Sequence, residues 1–410
     1  MRKIFDVTVI GAGVVGSAIG MTLLRSNPNL KVLILEKESE LGLHQTSHNS
    51  GVIHSGVYYT PGSYKARLCR RGYDQLLKFC RTHEIPHDIC GKIIVATDDW
   101  ELPILEGIRK KGEANGLTGI RVLEKEQVSE IEPHVRSLRS LFIPQDGIIE
   151  YRVVCQNYLK VFQEKGGEVR FGEKVLNINS SGSECLVVSD KAEYSTRYVI
   201  SAGGLWSDRV AKMTNPNLQL RILPFRGEYY KLKENRKNLV KNLIYPVPDP
   251  SFPFLGVHFT RMINGDVEAG PNAVLALSRA GYSWGKFNLR DTVESLTWPG
   301  FQKIARKYWK TGMYEMYRSL SKKAFCEALQ RLIPEVQESD LEPGGAGVRA
   351  QASDWNGLVD DFYFVESEKI LHVCNAPSPA ATSSLGIAEE VVKRFASRTN
   401  NIQFDPEKTI

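Results

Sequence analysis

The stretch FDVTVIGAGVVG, residues 5–16, restricts the possible folds more than any other part of the chain. Phe5–Ile10 reads as a buried strand that runs straight into Gly11-x-Gly13-x-x-Gly16. A helical stretch to Arg25 follows, then a second apolar strand, KVLILE, ending at Glu36. Each glycine has a physical task in such a unit. Gly11 allows the tight turn, Gly13 lets a pyrophosphate approach the backbone, and Gly16 lets the helix pack on the strand. Val14 and Val15 open the helix, where unpaired N–H groups and the positive dipole end favour phosphate. Glu36 is placed to accept hydrogen bonds from a ribose, and its charge disfavours a 2′-phosphate. The pattern therefore predicts a dinucleotide-binding βαβ unit and argues against NADP. By itself it does not separate NAD from FAD.

At 410 residues the chain is long for one core, which implies two domains or one domain with a large insertion. The net charge of +6 is too small and dispersed to argue for a nucleic-acid partner. Seven cysteines, odd in number and without a C-x-x-C pair, indicate a reduced, cytoplasmic-type chain. The start, MRK followed by IFDVTVIGAGVVGSAIGMTLL, imitates a secretory signal. Asp6 and the glycines at 11, 13, 16 and 20 favour the strand–turn–helix reading instead. No other stretch has the roughly 18 uninterrupted apolar residues of a spanning helix.

Further along, residues 63–83 read as a helix with a basic face, and 86–147 as short strands around a helix near 101–115. An entry strand, a helix and a Gly-Gly stop occupy 146–169, and YVISAGGLWSD is a strand entering a second glycine turn. Residues 221–278 alternate apolar runs with Pro and Gly, as in an antiparallel sheet. Residues 301–333 read as helical, and LHVCNAPSPAATSSLGIAEEVVKRF as strand, loop and helix. Nucleotide-binding pieces thus lie at both ends and in the middle. The expected fold is α/β, a Rossmann-like nucleotide domain (1–85, 148–222 and 343–398) interleaved with an antiparallel-sheet substrate domain (86–147 and 223–342).

The N-terminal glycine motif with Glu36, SAGGLWSD (201–208) and NAPSPAATSS (375–384) resemble the FAD-dependent D-amino-acid oxidase and glycerol-3-phosphate dehydrogenase superfamily. Further segments narrow the likeness: HQTSHNSGVIHSGVYYTPGSYKARLC (44–69), PFRGEYYKL (224–232), LIYPVPDPSFPFLGVHFTRMINGDVEAGPNAVLA (243–276) and GVRAQ (347–351). Together they resemble the L-2-hydroxyglutarate oxidase/dehydrogenase family over nearly the whole chain. Ser47 stands where that family usually has Gly, and SAGGLWSD varies a flexible motif. The resemblance implies non-covalent FAD of the glutathione-reductase type, oxidation of L-2-hydroxyglutarate to 2-oxoglutarate, and electron delivery to a quinone or oxygen. It implies cofactor contacts at Gly11, Gly13, Val14, Val15, Gly16, Glu36, Lys37, Thr46, Ser47, Asn49, Ser50 and Val175, at Ala202, Gly203 and Gly204, and at Pro379, Ala380, Ala381 and Thr382.

The chemistry that follows needs a base for a hydroxyl proton and cations for carboxylates. Histidine suits the first, with an unperturbed pKa near working pH, and His54 and His258 compete for it. Arginine suits the second through its bidentate fork, with Arg349 the first choice and Arg261 and Arg226 next. Tyr229 and Tyr59, with Tyr58, offer hydroxyl groups. A helix beginning near Ser378–Thr382 would aim N–H groups at the flavin's N1–C2=O edge. Cys374 lies nearby, and a covalent flavin link is not expected.

Two features pull elsewhere. His44, His48 and His54 crowd one loop, and His44/His48 have the i, i+4 spacing of a helical zinc pair. Gln45 stands where a catalytic Glu would be, and Asn49-Ser50-Gly51 suits a turn, so no metal is expected. Residues 303–325 form a basic segment interleaved with aromatics, which could lie on an anionic membrane at the inner face of the cell membrane. The alternatives are an oxidase of another hydroxy acid, amino acid or glycerol 3-phosphate on the same scaffold, a non-catalytic nucleotide-binding protein, and a metal-dependent hydrolase.

Overall fold

The computed structural model describes residues 4–250, 254–399 and 402–405. Met1–Lys3 of the signal-like start and Ser251–Pro253 of the 243–276 segment lie outside the described residues.

The first strand, Ile4–Ile10, is apolar because both its faces are covered. It pairs in parallel with Val32–Leu35 on one side and Glu193–Ser201 on the other. Glu168–Arg170 and Ile370–Asn375 extend this parallel run at its two edges. Antiparallel additions, Val175–Asn179 with Cys185–Ser189 and Tyr363–Glu366, complete a sheet of eight strands. Helices Val14–Ser26, Tyr151–Glu164 and Ser384–Ala396 pack on one face and share its largest core, with Tyr158, Phe162 and Leu385 buried between them. Strands from three distant parts of the chain thus build one nucleotide-binding sheet.

A second sheet has nine strands, all antiparallel to their neighbours except where Lys92–Ala96 runs parallel to Leu243–Pro246. Its longest members, Arg221–Leu232 and Leu341–Ser353, pair from Arg221↔Ser353 to Leu232↔Leu341. This register carries residues 343–353 into the nine-stranded sheet, whereas the sequence pattern returns them to the nucleotide domain. These residues hold the glycine-rich stretch GGAGVRAQ (344–351). Its extended backbone is held by the partner strand's hydrogen bonds.

Other local differences have local causes. The helix expected over 63–83 spans Tyr64–Thr82, with Ser63 as its cap accepting from Ala66 N. The helical stretch expected over 301–333 is divided into three helices, Pro299–Lys307, Trp309–Leu320 and Lys322–Gln330. Ser321 breaks the last junction because its hydroxyl accepts from Ala324 N and caps the next helix. The C-terminal helix begins at Ser384, after turns over Pro377–Ser383, and not at Ser378–Thr382.

Candidate active site

Where the two sheets meet lies a cleft of about 1070 Å³. Its nucleotide end is built by the first turn. Gly11 has φ +104°, and a Cβ there would stand 2.6 Å from Ala202 O, so only glycine fits. A Cβ on Gly16 would stand 1.9 Å from Gly11 O, which is why helix and turn can touch. At Gly13 such an atom would meet only Thr46 Oγ1, at 3.4 Å. That glycine keeps the backbone bare toward the cleft. Val14 N donates to Thr46 Oγ1 at 3.0 Å, tying the helix start to the 44–50 loop. Glu36 accepts from Ala12 N at 2.8 Å and Glu38 N at 3.0 Å, and a carboxylate still has lone pairs for ribose hydroxyls.

The remaining expected cofactor contacts mostly gather here. Val15, Lys37, Asn49, Ser50, Val175, Ala202, Gly203, Gly204 and Pro379–Thr382 all line the cleft. Gly16 and Ser47 do not. Gly16 acts through the helix–turn contact, and Ser47 donates to Gly42 O at 2.7 Å, closing the loop behind Thr46. At the C-terminal turn, Ala380 and Ser383 spend their N–H groups on Pro377 O and Pro379 O. No hydrogen bond from Ala381 N or Thr382 N occurs among the described residues. These donors, the bare glycine turn and a volume at the upper end for ligand pockets fit FAD with room for a small substrate beside it.

His44 and His48 are occupied elsewhere. His44 Nε2 meets Glu38 Oε1 at 2.8 Å, and its ring packs on Trp206 at 4.7 Å. His48 Nδ1 donates to Ala346 O at 3.0 Å and stacks on Tyr282 at 4.2 Å. Both brace the loop against the sheets. Lys37 lies 3.6 Å from the Trp206 ring centroid in the same cluster.

At the other end, His54, His258, Arg349, Tyr229 and Tyr59 share the cleft wall with Tyr58 and Tyr245. His258 is buried and stacks on Tyr245 at 3.9 Å. Its Nδ1 lies 2.9 Å from Gly256 O, a carbonyl that only accepts, so this nitrogen carries the proton and Nε2 keeps its lone pair. Burial holds His258 down to about 3 and His54 down to about 4, and both are neutral at physiological pH. His54 Nδ1 is buried without a hydrogen-bond partner among the described residues. Its backbone is fixed, since His54 N donates to Thr382 Oγ1 at 3.1 Å and Cys69 Sγ to His54 O at 3.2 Å.

Arg349 is paired in register with Phe225, and its Nη1 makes one long contact, 3.3 Å, to Asn272 O. No carboxylate pairs with it among the described residues, and burial pulls its guanidinium below the usual range. Gly227 makes room for it, since a Cβ there would stand 3.1 Å from Arg349 Nη1. Tyr229 is pushed up to about 12 by burial, although the Arg349 charge works the other way.

The other two arginines are placed elsewhere. Arg226 is buried on the face of its strand opposite Gly227, beside Glu228 at 3.2 Å and 4.1 Å from the Trp284 ring centroid. Arg261 pairs with Asp88 at 2.5 Å. Neither lines the cleft, because alternation along a strand sends neighbouring side chains to opposite faces.

Some residues that shape the site carry no sequence motif. Asp361 accepts from Tyr64 N and Lys65 N, both at 2.8 Å, at the start of the helix behind the His54 loop. Buried Arg279 donates to Leu205 O at 2.6 Å and Asp208 Oδ2 at 2.8 Å, pinning the second glycine turn. Lys92 and Asp146 form an ion pair beneath the histidines, with side chains 1% and 0% exposed.

Fold and cleft together define an FAD-dependent oxidoreductase, and residues 6–394 match the family model described as DAO, FAD dependent oxidoreductase. FAD-bound L-alpha-glycerophosphate oxidase from Mycoplasma pneumoniae has the same fold, with TM-score 0.79 at 20% identity over 98% of this chain and 97% of that one. Within this class the chain belongs to the L-2-hydroxyglutarate dehydrogenase family. It is 51% identical to L-2-hydroxyglutarate dehydrogenase of Indibacter alkaliphilus over 95% of this chain and 100% of the relative. It is 41% identical to the Escherichia coli K12 enzyme of that name over 97% and 95%.

Proposed function

We propose that the protein oxidises L-2-hydroxyglutarate to 2-oxoglutarate, with Arg349 binding a substrate carboxylate and a cleft histidine taking the hydroxyl proton. The observation that carries this reading is Arg349, a guanidinium without an anionic partner among the described residues, on the same wall as a neutral histidine whose Nε2 keeps its lone pair. Bound FAD supplies the acceptor for the hydride that leaves the α-carbon, at its N5. The chain's own part is position and charge. The Arg349 fork orients the carboxylate, Tyr229 and Tyr59 offer hydroxyl hydrogen bonds, and His258 Nε2 receives the proton with His54 beside it. Arg226 and Arg261 have no part in substrate contact in this reading. Preference for the diacid is supported by the names of the relatives and not by a second arginine.

Steady-state assays with an artificial electron acceptor test the substrate claim. L-2-hydroxyglutarate should exceed its D-enantiomer, 2-hydroxybutyrate, glycerol 3-phosphate and L-glutamate by at least about a hundredfold in kcat/KM. Equal or greater turnover of any of these would contradict it.

The electrons pass in our reading to a membrane quinone or to oxygen, from a protein on the cytoplasmic side that touches the inner face of the cell membrane. No helix among the described residues is long and apolar enough to cross a membrane. Peripheral contact is supported by the helices after residue 288, which expose Leu289 (67%), Met313 (65%) and Leu320 (72%) together with Trp309 and Tyr317. Lys303, Arg306, Lys307 and Lys310 lie in the same stretch and suit anionic lipid. Vesicles containing phosphatidylglycerol should sediment the holoenzyme, and Met313→Glu with Leu320→Glu should weaken this at least about tenfold. Recovery of all the protein in the supernatant would contradict membrane contact.

A further inference from the structure

The Lys92–Asp146 ion pair has no place in the substrate contacts described above, and its burial is costly. Taking two charges out of water costs several kcal/mol per ion, so a dry ion pair is a weak stabiliser of a fold. Here it lies directly behind the histidine wall. Lys92 comes from the apolar strand Lys92–Ala96, and its ammonium lies 4.8 Å from the Tyr58 ring centroid and 5.1 Å from that of Tyr245. Asp146 sits in the turn before Gly147–Ile149. Its Oδ2 accepts from Lys92, and its Oδ1 accepts from Ser55 N at 2.9 Å, one residue past His54. Tyr245, against which the Lys92 ammonium rests, is the ring on which His258 stacks. One ion pair therefore touches the supports of both cleft histidines.

We propose that Lys92 and Asp146 are positioning residues for the oxidation, a buried pair that clamps the His54 loop and sets a lysine charge behind both cleft imidazoles. The proposal rests on the reading that a cleft histidine takes the hydroxyl proton.

The other groups around the histidines do not supply that charge balance. From their own loop come Tyr58 and Tyr59, and from the helix behind it Cys69, all held in their neutral forms by burial. Tyr151 and Tyr245, from the next helix and the neighbouring strand, are likewise pushed up by burial. Arg349 is the remaining cation facing His258, and it is the group a substrate carboxylate neutralises. Burial does most to lower the proton affinity of both histidines; Lys92 adds to it at each, behind Arg349 at His258, while Asp146 opposes it at His54. Although burial works against its charge, Lys92 and the Ser55 hydrogen bond hold Asp146 below the usual carboxylate range, so the carboxylate stays ionised. When substrate covers Arg349, the Lys92 ammonium remains in place behind the histidine wall.

The test compares Lys92→Met, Lys92→Arg and Lys92→Met with Asp146→Asn, all as FAD-loaded protein. Histidine-selective NMR reads the imidazole titrations, and rapid mixing reads flavin reduction against pH. In Lys92→Met both imidazoles should titrate about one unit higher, a tenfold change in proton affinity. The acid limb of the reduction rate should move with them. Lys92→Arg should leave both where they are in the native protein. The double variant leaves no unpaired buried charge and should show a smaller rise in the same direction. It carries the comparison if Lys92→Met fails to hold FAD. Unmoved imidazole titrations in Lys92→Met or the double variant would overturn the proposal, even if activity falls. Imidazoles that move while the acid limb stays would uphold the charge effect and overturn the histidine's role as proton acceptor.

Discussion

Replacing Arg349 with Met should lower kcat/KM for L-2-hydroxyglutarate by about a thousandfold and leave FAD content and the flavin spectrum unchanged. Stripping one partner from a recessed, hydrogen-bonded charge pair costs about 2–5 kcal/mol, and among the described residues this guanidinium has no internal carboxylate to share the loss. The expected pattern is a raised KM together with a lowered kcat, because a carboxylate that is not held also leaves the α-hydrogen misaligned with its acceptor. Arg349→Lys keeps the charge but not the planar fork, and should fall between the two. Gly227 gives an independent handle on the same claim. A side chain there would push on Pro271 and Asn272 O as well as on Arg349 Nη1, so Gly227→Ala should raise KM while Arg349 itself is retained. Activity of Arg349→Met within about threefold of the native protein would remove Arg349 from the site.

The second large effect concerns the histidines. His258→Gln should slow flavin reduction by about a hundred- to ten-thousandfold, the usual worth of a positioned general base, with little change in substrate affinity. The sign of the pH dependence follows from burial. A histidine held down to about 3 or 4 is neutral through the physiological range, so the base is available there and is lost only as pH falls through those values. A bound carboxylate favours the imidazolium, so the acid limb of the reduction step with substrate bound should lie at higher pH than in the free enzyme. His54→Gln should act mainly through the loop, with a smaller loss. Its backbone is already fixed by Thr382 and Cys69, and its Nδ1 lacks a partner. A His54→Gln variant slower than His258→Gln would exchange the two roles.

Much of this architecture is written locally in the chain. Gly11, Gly13, Gly16 and Glu36 lie within one βαβ unit, so spacing alone places them, and the positive φ of Gly11 explains why that residue has no substitute. The two-sheet α/β fold also follows from where strand-rich and nucleotide-binding segments alternate. What escapes sequence reading depends on strand faces and on distant partners. Arg226 and Gly227 are adjacent, yet alternation turns Arg226 toward Glu228 and Trp284 and away from the cleft. Arg261 is one strand position too far along and finds Asp88. Residues 343–353, expected with the nucleotide domain, are carried into the other sheet by register with Arg221–Leu232. Asp361 and Tyr64, or Lys92 and Asp146, meet only after the chain has folded. The one available clue to the last pair was a lysine opening the apolar run KIIVA, where a charge needs a partner.

The most direct test of the central claim is an anaerobic titration of the purified flavoprotein followed in the visible spectrum. L-2-hydroxyglutarate should bleach the flavin band near about 450 nm and yield 2-oxoglutarate in equal amount to the flavin reduced, with the D-enantiomer inert. A band that persists with L-2-hydroxyglutarate but bleaches with glycerol 3-phosphate or an amino acid would contradict the assignment.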